Sequence, residues 1–309
     1  MKIGVTPWDF TGLNASKLSQ QAARAESFGY DSFWLPESHF NANAIPDPLM
    51  LLAAVAAATD RIRLATTSYL LPLRHPLQAA EQVAVLDQLS CGRVTLGVGR
   101  GYAPTMLKAF DVLPREKRHM FERCLLVMQR AWSGEPVSLD ESAEQTESVV
   151  LDPLPVQRPH PPLWVAAFGP KALAQAGRLG LPYLASPVES MATLESNYAR
   201  HAASARDAGH DEIDTVPVMR TVFLTSSEKQ GRDLRAHVHS QAQRSGRLAA
   251  DADVDDWTII GDRHLVSDRV QEYRERLNVS HLIVTRLRIN GVDRAEVEAS
   301  VAKLLEVIV

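Results

Sequence analysis

The feature that most constrains this chain is an alternation. Short runs rich in Val, Ile and Leu are separated, from one end to the other, by longer stretches with apolar residues at helical spacing. Parallel strands need a crossover between each pair and a helix is the usual crossover, so the pattern predicts a parallel α/β fold. The predicted strands are residues 2–6, 32–35, 61–67, 93–98, 163–167, 183–185, 216–224 and 281–285. A helix from Asn14 places Leu18, Ala22, Ala25 and Phe28 on one face and stops at Gly29; a second starts at the Asp47-Pro48 cap pair and ends near Asp60. Further helices are predicted over 76–89, 115–132, 268–277 and 294–307. Eight strands with interspersed helices and no repeated short motif favour a closed (β/α)8 TIM barrel over an open doubly wound sheet. Both periods fade over 135–162, where acidic residues gather at 140–147 and prolines at 153–162, which reads as an insertion. Residues 241–261 read as a polar, irregular stretch.

With 309 residues and 45% hydrophobic content, the chain can bury one large core, and a single domain over 1–309 is expected. The net charge of -4, with both signs interspersed, leaves no basic footprint for nucleic acid or an anionic membrane. Cys91 and Cys124 lack CxxC spacing, which argues against a disulfide framework or a zinc-thiolate site and suggests a cytoplasmic setting. The first residues, Met1-Lys2-Ile3-Gly4-Val5, read as a strand and not as a signal peptide, and the apolar stretch 48–59 is too short to span a bilayer.

In a barrel the chemistry sits just after each strand, so the candidate site residues can be named from position. Strand two runs into Pro36-Glu37-Ser38-His39-Phe40, strand three into Thr67-Ser68, strand four into Gly99-Arg100-Gly101 and strand five into Phe168-Gly169-Pro170-Lys171. His39 can exchange a proton near neutral pH or serve as a structural histidine, and Glu37, counted among the cofactor-binding residues, can orient that ring or close an ion pair. The glycines around Arg100 suit close backbone approach to a ring or phosphate, with the guanidinium forking onto phosphate oxygens, the alternative being a surface arginine in a glycine turn. Gly169-Pro170 before a helix leaves N–H groups free for an anion, as any capped helix start does. Gly97-x-Gly99-x-Gly101 has its third glycine one residue early for a dinucleotide fingerprint. His237 and His239 would point apart on the helix expected there, so no metal is predicted, and His75 suits packing as well as catalysis.

These segments form an ordered set: Trp34-Leu35-Pro36-Glu37-Ser38-His39-Phe40, Leu71-Pro72-Leu73-Arg74-His75-Pro76, Leu86-Asp87-Gln88-Leu89-Ser90-Cys91-Gly92-Arg93 and Gly97-Val98-Gly99-Arg100-Gly101. Together they resemble the luciferase-like monooxygenases. The resemblance implies a (β/α)8 barrel, usually a homodimer, that binds reduced FMN or the deazaflavin F420 beside a small organic substrate. It implies a bulge at Thr67-Ser68 under the flavin, often with a cis peptide, phosphate contacts from Arg100 and from Phe168-Gly169, and a catalytic His39. Relatives that use FMN carry Glu-His-His-Phe where this chain has Glu-Ser-His-Phe, so the first histidine is Ser38 here. The expected function is a flavin-dependent monooxygenase supplied with reduced FMN by a separate reductase, since no nicotinamide fingerprint is present. F420-dependent hydride transfer is the second reading, and a flavin-binding protein without turnover the third.

Overall fold

The computed structural model describes residues 1–308 apart from 11, 13, 139–146, 245–251 and 286–291. Its strands are β1 Lys2–Val5, β2 Ser32–Leu35, β3 Arg63–Thr66, β4 Tyr69–Leu70, β5 Val94–Gly99, β6 Val137–Ser138, β7 Ser148–Val149, β8 Leu163–Ala166, β9 Tyr183–Leu184, β10 Pro217–Leu224, β11 Thr258–Gly261 and β12 His281–Thr285. Its α-helices are α1 Ala15–Phe28, α2 Pro48–Ala56, α3 Pro76–Leu89, α4 Pro104–Ala109, α5 Lys117–Trp132, α6 Pro170–Arg178, α7 Met191–Asp207, α8 Glu228–Arg244, α9 Arg263–Leu277 and α10 Arg294–Ile308. All eight predicted strands are present. The chain packs as two compact units, Met1–Trp34 with Val165–Val309, and Leu35–Trp164.

In the first unit β1 lies between β2 and β12, and β10 between β12 and β11, every pair parallel. β8 pairs with β9 in the same sense. The local signals act as read: the Asn14 side chain accepts from Lys17 N, and Gly29 takes the left-handed conformation, φ 95°, that ends α1. Leu18, Ala22 and Ala25 of α1 are fully buried, as are Val266 of α9 and Val301 and Leu304 of α10. Between β9 and β10 no main-chain ladder forms among the described residues. β9 is two residues long, and Pro217 has no N–H to give. The Tyr198 hydroxyl of α7 stands there instead, 2.6 Å from Pro217 O and 3.3 Å from Tyr183 O. The Tyr198 hydroxyl thus bridges the carbonyls of β9 and β10 where no ladder joins them.

In the second unit β5 pairs with β3 at its start and with β4 at its end. Ala65 faces Thr95 and Tyr69 faces Val98, so four steps along β3–β4 match three along β5. The extra residue is a bulge at Thr67-Ser68, and that peptide bond is cis. α3 packs against α5, and Ala79, Ala80, Val83 and Ala84 of α3 and Phe121, Leu125, Met128 and Trp132 of α5 are all fully buried. Trp132 spends its indole N–H on Ala80 O, 3.0 Å away. The insertion contains an antiparallel pair, β6 with β7, and Gln157 fastens its return: its amide N–H groups reach both oxygens of the buried Asp87 at 2.9 and 2.8 Å. The acidic run 140–147 lies outside the described residues except for Glu147.

Sequence reading erred in three places. The third strand stops at Thr66 because the bulge interrupts it; the irregular stretch 241–261 contains the end of α8 and the strand β11; and α4 forms between Gly101 and the helix predicted from 115, where no element is predicted. No helix among the described residues is long and apolar enough to cross a membrane.

Candidate functional site

β2 and β3 run to their ends and hand the chain to turns that gather polar groups around the bulge. After β2, the turn 38–45 closes on itself: Ser38 N donates to Ile45 O at 2.9 Å, and Ile45 N donates to Ser38 Oγ at 3.1 Å. Ser38 is thus used in holding the turn. Glu37 and His39 project from it together, His39 Nε2 lying 2.8 Å from Glu37 Oε1. The Glu37 side chain is fully buried, and it accepts from Leu70 N at 2.9 Å and from the Arg74 guanidinium at 2.8 Å. Arg74 also donates to Leu70 O at 2.9 Å and stacks 3.9 Å over the Tyr69 ring. Burial holds the Tyr69 hydroxyl above its usual range, with Arg74 opposing.

The His39 ring is enclosed by aromatics, with Phe110 edge-on at 4.9 Å and Phe40 tilted at 5.7 Å. Phe40 takes a left-handed conformation, φ 59°, and stays 71% exposed, so a large apolar side chain is presented to whatever approaches His39.

On β5, Gly99 is required by space. A Cβ at this position would overlap Ser68 Oγ and stand 3.0 Å from Ser68 Cβ, so only glycine lets the bulge lie against the strand. Leu70, paired with Gly99, links this contact to Glu37 through its N–H. Beyond it Gly101 takes φ 69° and offers its carbonyl to Lys117 Nζ at 3.1 Å. Arg100 stands 5.6 Å from the Phe121 ring. Burial lowers the Arg100 proton affinity and Arg118 lowers it further; Lys117 is likewise lowered by burial and then by Arg100. After burial, the neighbouring charge of Arg118 acts on Arg100 and that of Arg100 on Lys117, and an anion such as a phosphate placed beside Arg100 and Lys117 would oppose both effects.

The remaining predicted residues, Phe168 and Gly169, belong to the other unit. Phe168 is 64% exposed; Gly169 has φ 84° and precedes Pro170, the first residue of α6, with no side-chain cap. A Cβ at 169 would meet nothing within 4 Å, so glycine is needed there for conformation and the space beside it is open.

The structure therefore joins Glu37 to His39, Ser68 to Gly99, and Gly101 to Lys117 in one unit. Arg74, Phe110, Lys117 and Arg118 were not singled out from sequence. Arg74 lies within a quoted motif, but its role follows from folding Leu70 and Glu37 together; Phe110 ends the unpredicted α4. His237 and His239 sit on α8, each by the glutamine one turn on, Gln241 and Gln243, and so diverge as predicted.

Comparison with known proteins gives a consistent picture. The family described as luciferase-like monooxygenase matches residues 3–278. 4-Hydroxyprotoasukamycin monooxygenase of Streptomyces nodosus subsp. asukaensis is 30% identical over 232 residues, 72% of this chain and 62% of that protein. The chain spans about half to two thirds of the length of the first curated relatives it matches. Among solved structures, the oxygenating constituent of 3,6-diketocamphane monooxygenase from Pseudomonas putida, in complex with FMN, superposes with TM-score 0.82 at 21% identity, covering 100% of this chain and 97% of that one. An F420-dependent secondary alcohol dehydrogenase with an F420–acetone adduct gives 0.79 at 20% identity, covering 100% and 98%. At such identities the likeness establishes the fold, the α/β architecture of luciferase-like TIM barrels.

Proposed function

Because the chain belongs to the luciferase-like monooxygenase family, we propose that it is an oxidoreductase that binds reduced FMN noncovalently and uses it on a small organic substrate. The observation on which the reading rests is the proximity, through Leu70 and Gly99, of the buried Glu37–His39 pair to the bulge at Thr67-Ser68. The lowered proton affinities of Arg100, beside Arg118, and of Lys117, beside Arg100, support an anionic cofactor. FMN, when bound, supplies the redox chemistry. In this reading Arg100 and Lys117 hold its phosphate, and Thr67, Ser68, Gly99 and Gly101 give it close backbone approach. Glu37 is assigned to His39 and not to the cofactor, since both its oxygens already accept from protein groups. His39 moves a proton to or from the substrate, and Phe40 and Phe110 keep water from the ring.

The family includes FMN-dependent and F420-dependent oxidoreductases. Ser38, in place of the first histidine of Glu-His-His-Phe, favours the F420 reading. The three cations favour FMN, because a phosphate monoester has nearly two charges near neutral pH and a diester one. A separate reductase, a homodimer and a cytoplasmic setting complete the proposal, with residues 1–309 as one domain, a view supported by the single family match.

Titration of the purified chain with FMN, reduced FMN and F420, read by fluorescence and thermal unfolding, tests it. At 100-fold excess over Kd the bound cofactor is expected to stabilise the fold by about 2.7 kcal/mol. Tighter binding of F420 than of either form of FMN would select the second reading, and binding of none would remove both.

A further inference from the structure

We propose that Glu37 and Arg74 are positioning residues that hold His39 in one tautomer, proton on Nε2 and lone pair on Nδ1, so that Nδ1 is the nitrogen that takes a proton from substrate. The inference rests on the reading of His39 as the acid–base group and specifies its working atom.

An ionised carboxylate only accepts hydrogen bonds. Glu37 Oε2 receives Leu70 N–H at 2.9 Å, and Oε1 receives Arg74 at 2.8 Å while facing His39 Nε2 at the same distance. A lone pair on Nε2 would confront a lone pair of Oε1 in a buried setting, whereas N–H on Nε2 completes the carboxylate's set of donors. Arg74 is itself fixed by Leu70 O and the Tyr69 ring, so the guanidinium holds the carboxylate against the imidazole.

Nδ1 makes no hydrogen bond among the described residues, and 8% of the His39 side chain remains exposed. With Nε2 against a fully buried carboxylate and Phe110 and Phe40 beside the ring, the Nδ1 edge is the one left to a ligand. The titratable groups in the field of this pair are Glu37 on its own segment, Arg74 and Tyr69 after the bulge, Asp47 at the start of α2 and Cys124 of α5. Asp47 acts on Tyr69, and Cys124, pushed up to about 12 by burial, is drawn back by Arg74 and Arg123. In the proton transfer the bond to substrate breaks and its electron pair stays with the substrate. The proton passes to Nδ1, and the imidazolium keeps its Nε2 proton, donated in a hydrogen bond to Glu37 Oε1, which also accepts from Arg74.

The full-length chain, labelled with ¹⁵N-histidine, tests this without any substrate. The His39 signals are assigned by difference from His39→Gln. At neutral pH a pyrrole-type Nε2 and a pyridine-type Nδ1 are expected for His39, and the reverse pattern would overturn the proposal. Glu37→Gln offers one oxygen and one amino group to three donors, so loss of the single-tautomer pattern is expected there and in Arg74→Met, with recovery in Arg74→Lys. An unchanged pattern in both Glu37→Gln and Arg74→Met would also overturn it. FMN titration of the same unsubstituted sample separates the two readings: failure to bind FMN or F420 counts against the proposed function, whereas a reversed tautomer in a flavin-binding protein counts against this inference alone.

Discussion

His39 illustrates why single residues must be judged by their surroundings. A histidine after a strand is a candidate for catalysis, but a buried carboxylate on one ring nitrogen and two phenyl rings alongside turn the candidate into a directed group. His39→Ala is expected to slow the chemical step by about 10²- to 10⁴-fold and to leave FMN affinity within a factor of about two. Single-turnover rates and fluorescence titration check the two halves separately, and an unchanged rate would make the imidazole a packing group. Arg100→Ala is expected to weaken FMN binding by roughly 1.5 to 3 kcal/mol, the range for hydrogen bonds to charged groups. Unaltered affinity, measured by titration, would place the phosphate elsewhere. Ser38 shows the opposite lesson, since at the position of a histidine in FMN-using relatives its hydroxyl serves the turn that presents Glu37 and His39.

At the scale of elements, the decisive device is the break between β3 and β4. One extra residue relative to β5 reverses which side chains face which way, and Gly99 gives the displaced Ser68 its room. Gly99→Ala is therefore expected to push the bulge off β5, costing roughly 1 to 3 kcal/mol in stability, as overpacking does. At least a tenfold loss of FMN affinity should accompany it. Urea unfolding and FMN titration of the variant check both, and wild-type values in each would show that the bulge yields without consequence. The motif before β5 works differently. Arg93, which the resemblance includes with the others, donates to Ala56 O, Thr59 O and Oγ1, Ile62 O and Ser90 O, and so binds the end of α2 to the start of β5. It lies at the opposite end of that strand from Gly99 and belongs to the scaffold. A family motif read along the sequence thus mixes residues that hold the fold with residues that meet a ligand.

The stability of the molecule as a whole depends on buried polar groups that no sequence pattern announces. Burial holds the Glu189 carboxyl above its usual range, against hydrogen bonds from Tyr183, Ser186 and Asn197 and the charge of Arg220. A carboxyl that keeps its proton more tightly folded than unfolded contributes stability at acid pH and loses it as the pH rises through the folded value. Glu189→Gln keeps an oxygen acceptor without the charge. It is therefore expected to gain on the wild type as the pH rises above about 4.3, the ordinary glutamate value. Urea unfolding at a series of pH values checks this, and a difference independent of pH would mean the carboxyl is not perturbed. Such groups mark the boundary of what a sequence can tell. Strand order, helix caps and the positions after strands were legible because they depend on local rules: alternation of apolar runs, Asn14 and Asp47 before helices, Gly29 after one. β11, α4 and the side-chain seam at Tyr198 were not, because short or polar elements owe their form to neighbours far along the chain. The sequence alone determined the family, the parallel α/β architecture and the list from which the site is drawn. Only the tertiary structure decided that Glu37 serves His39, that Arg74 shares its carboxylate and that Gly99 makes room for Ser68, since each depends on distances between residues that sequence spacing does not encode.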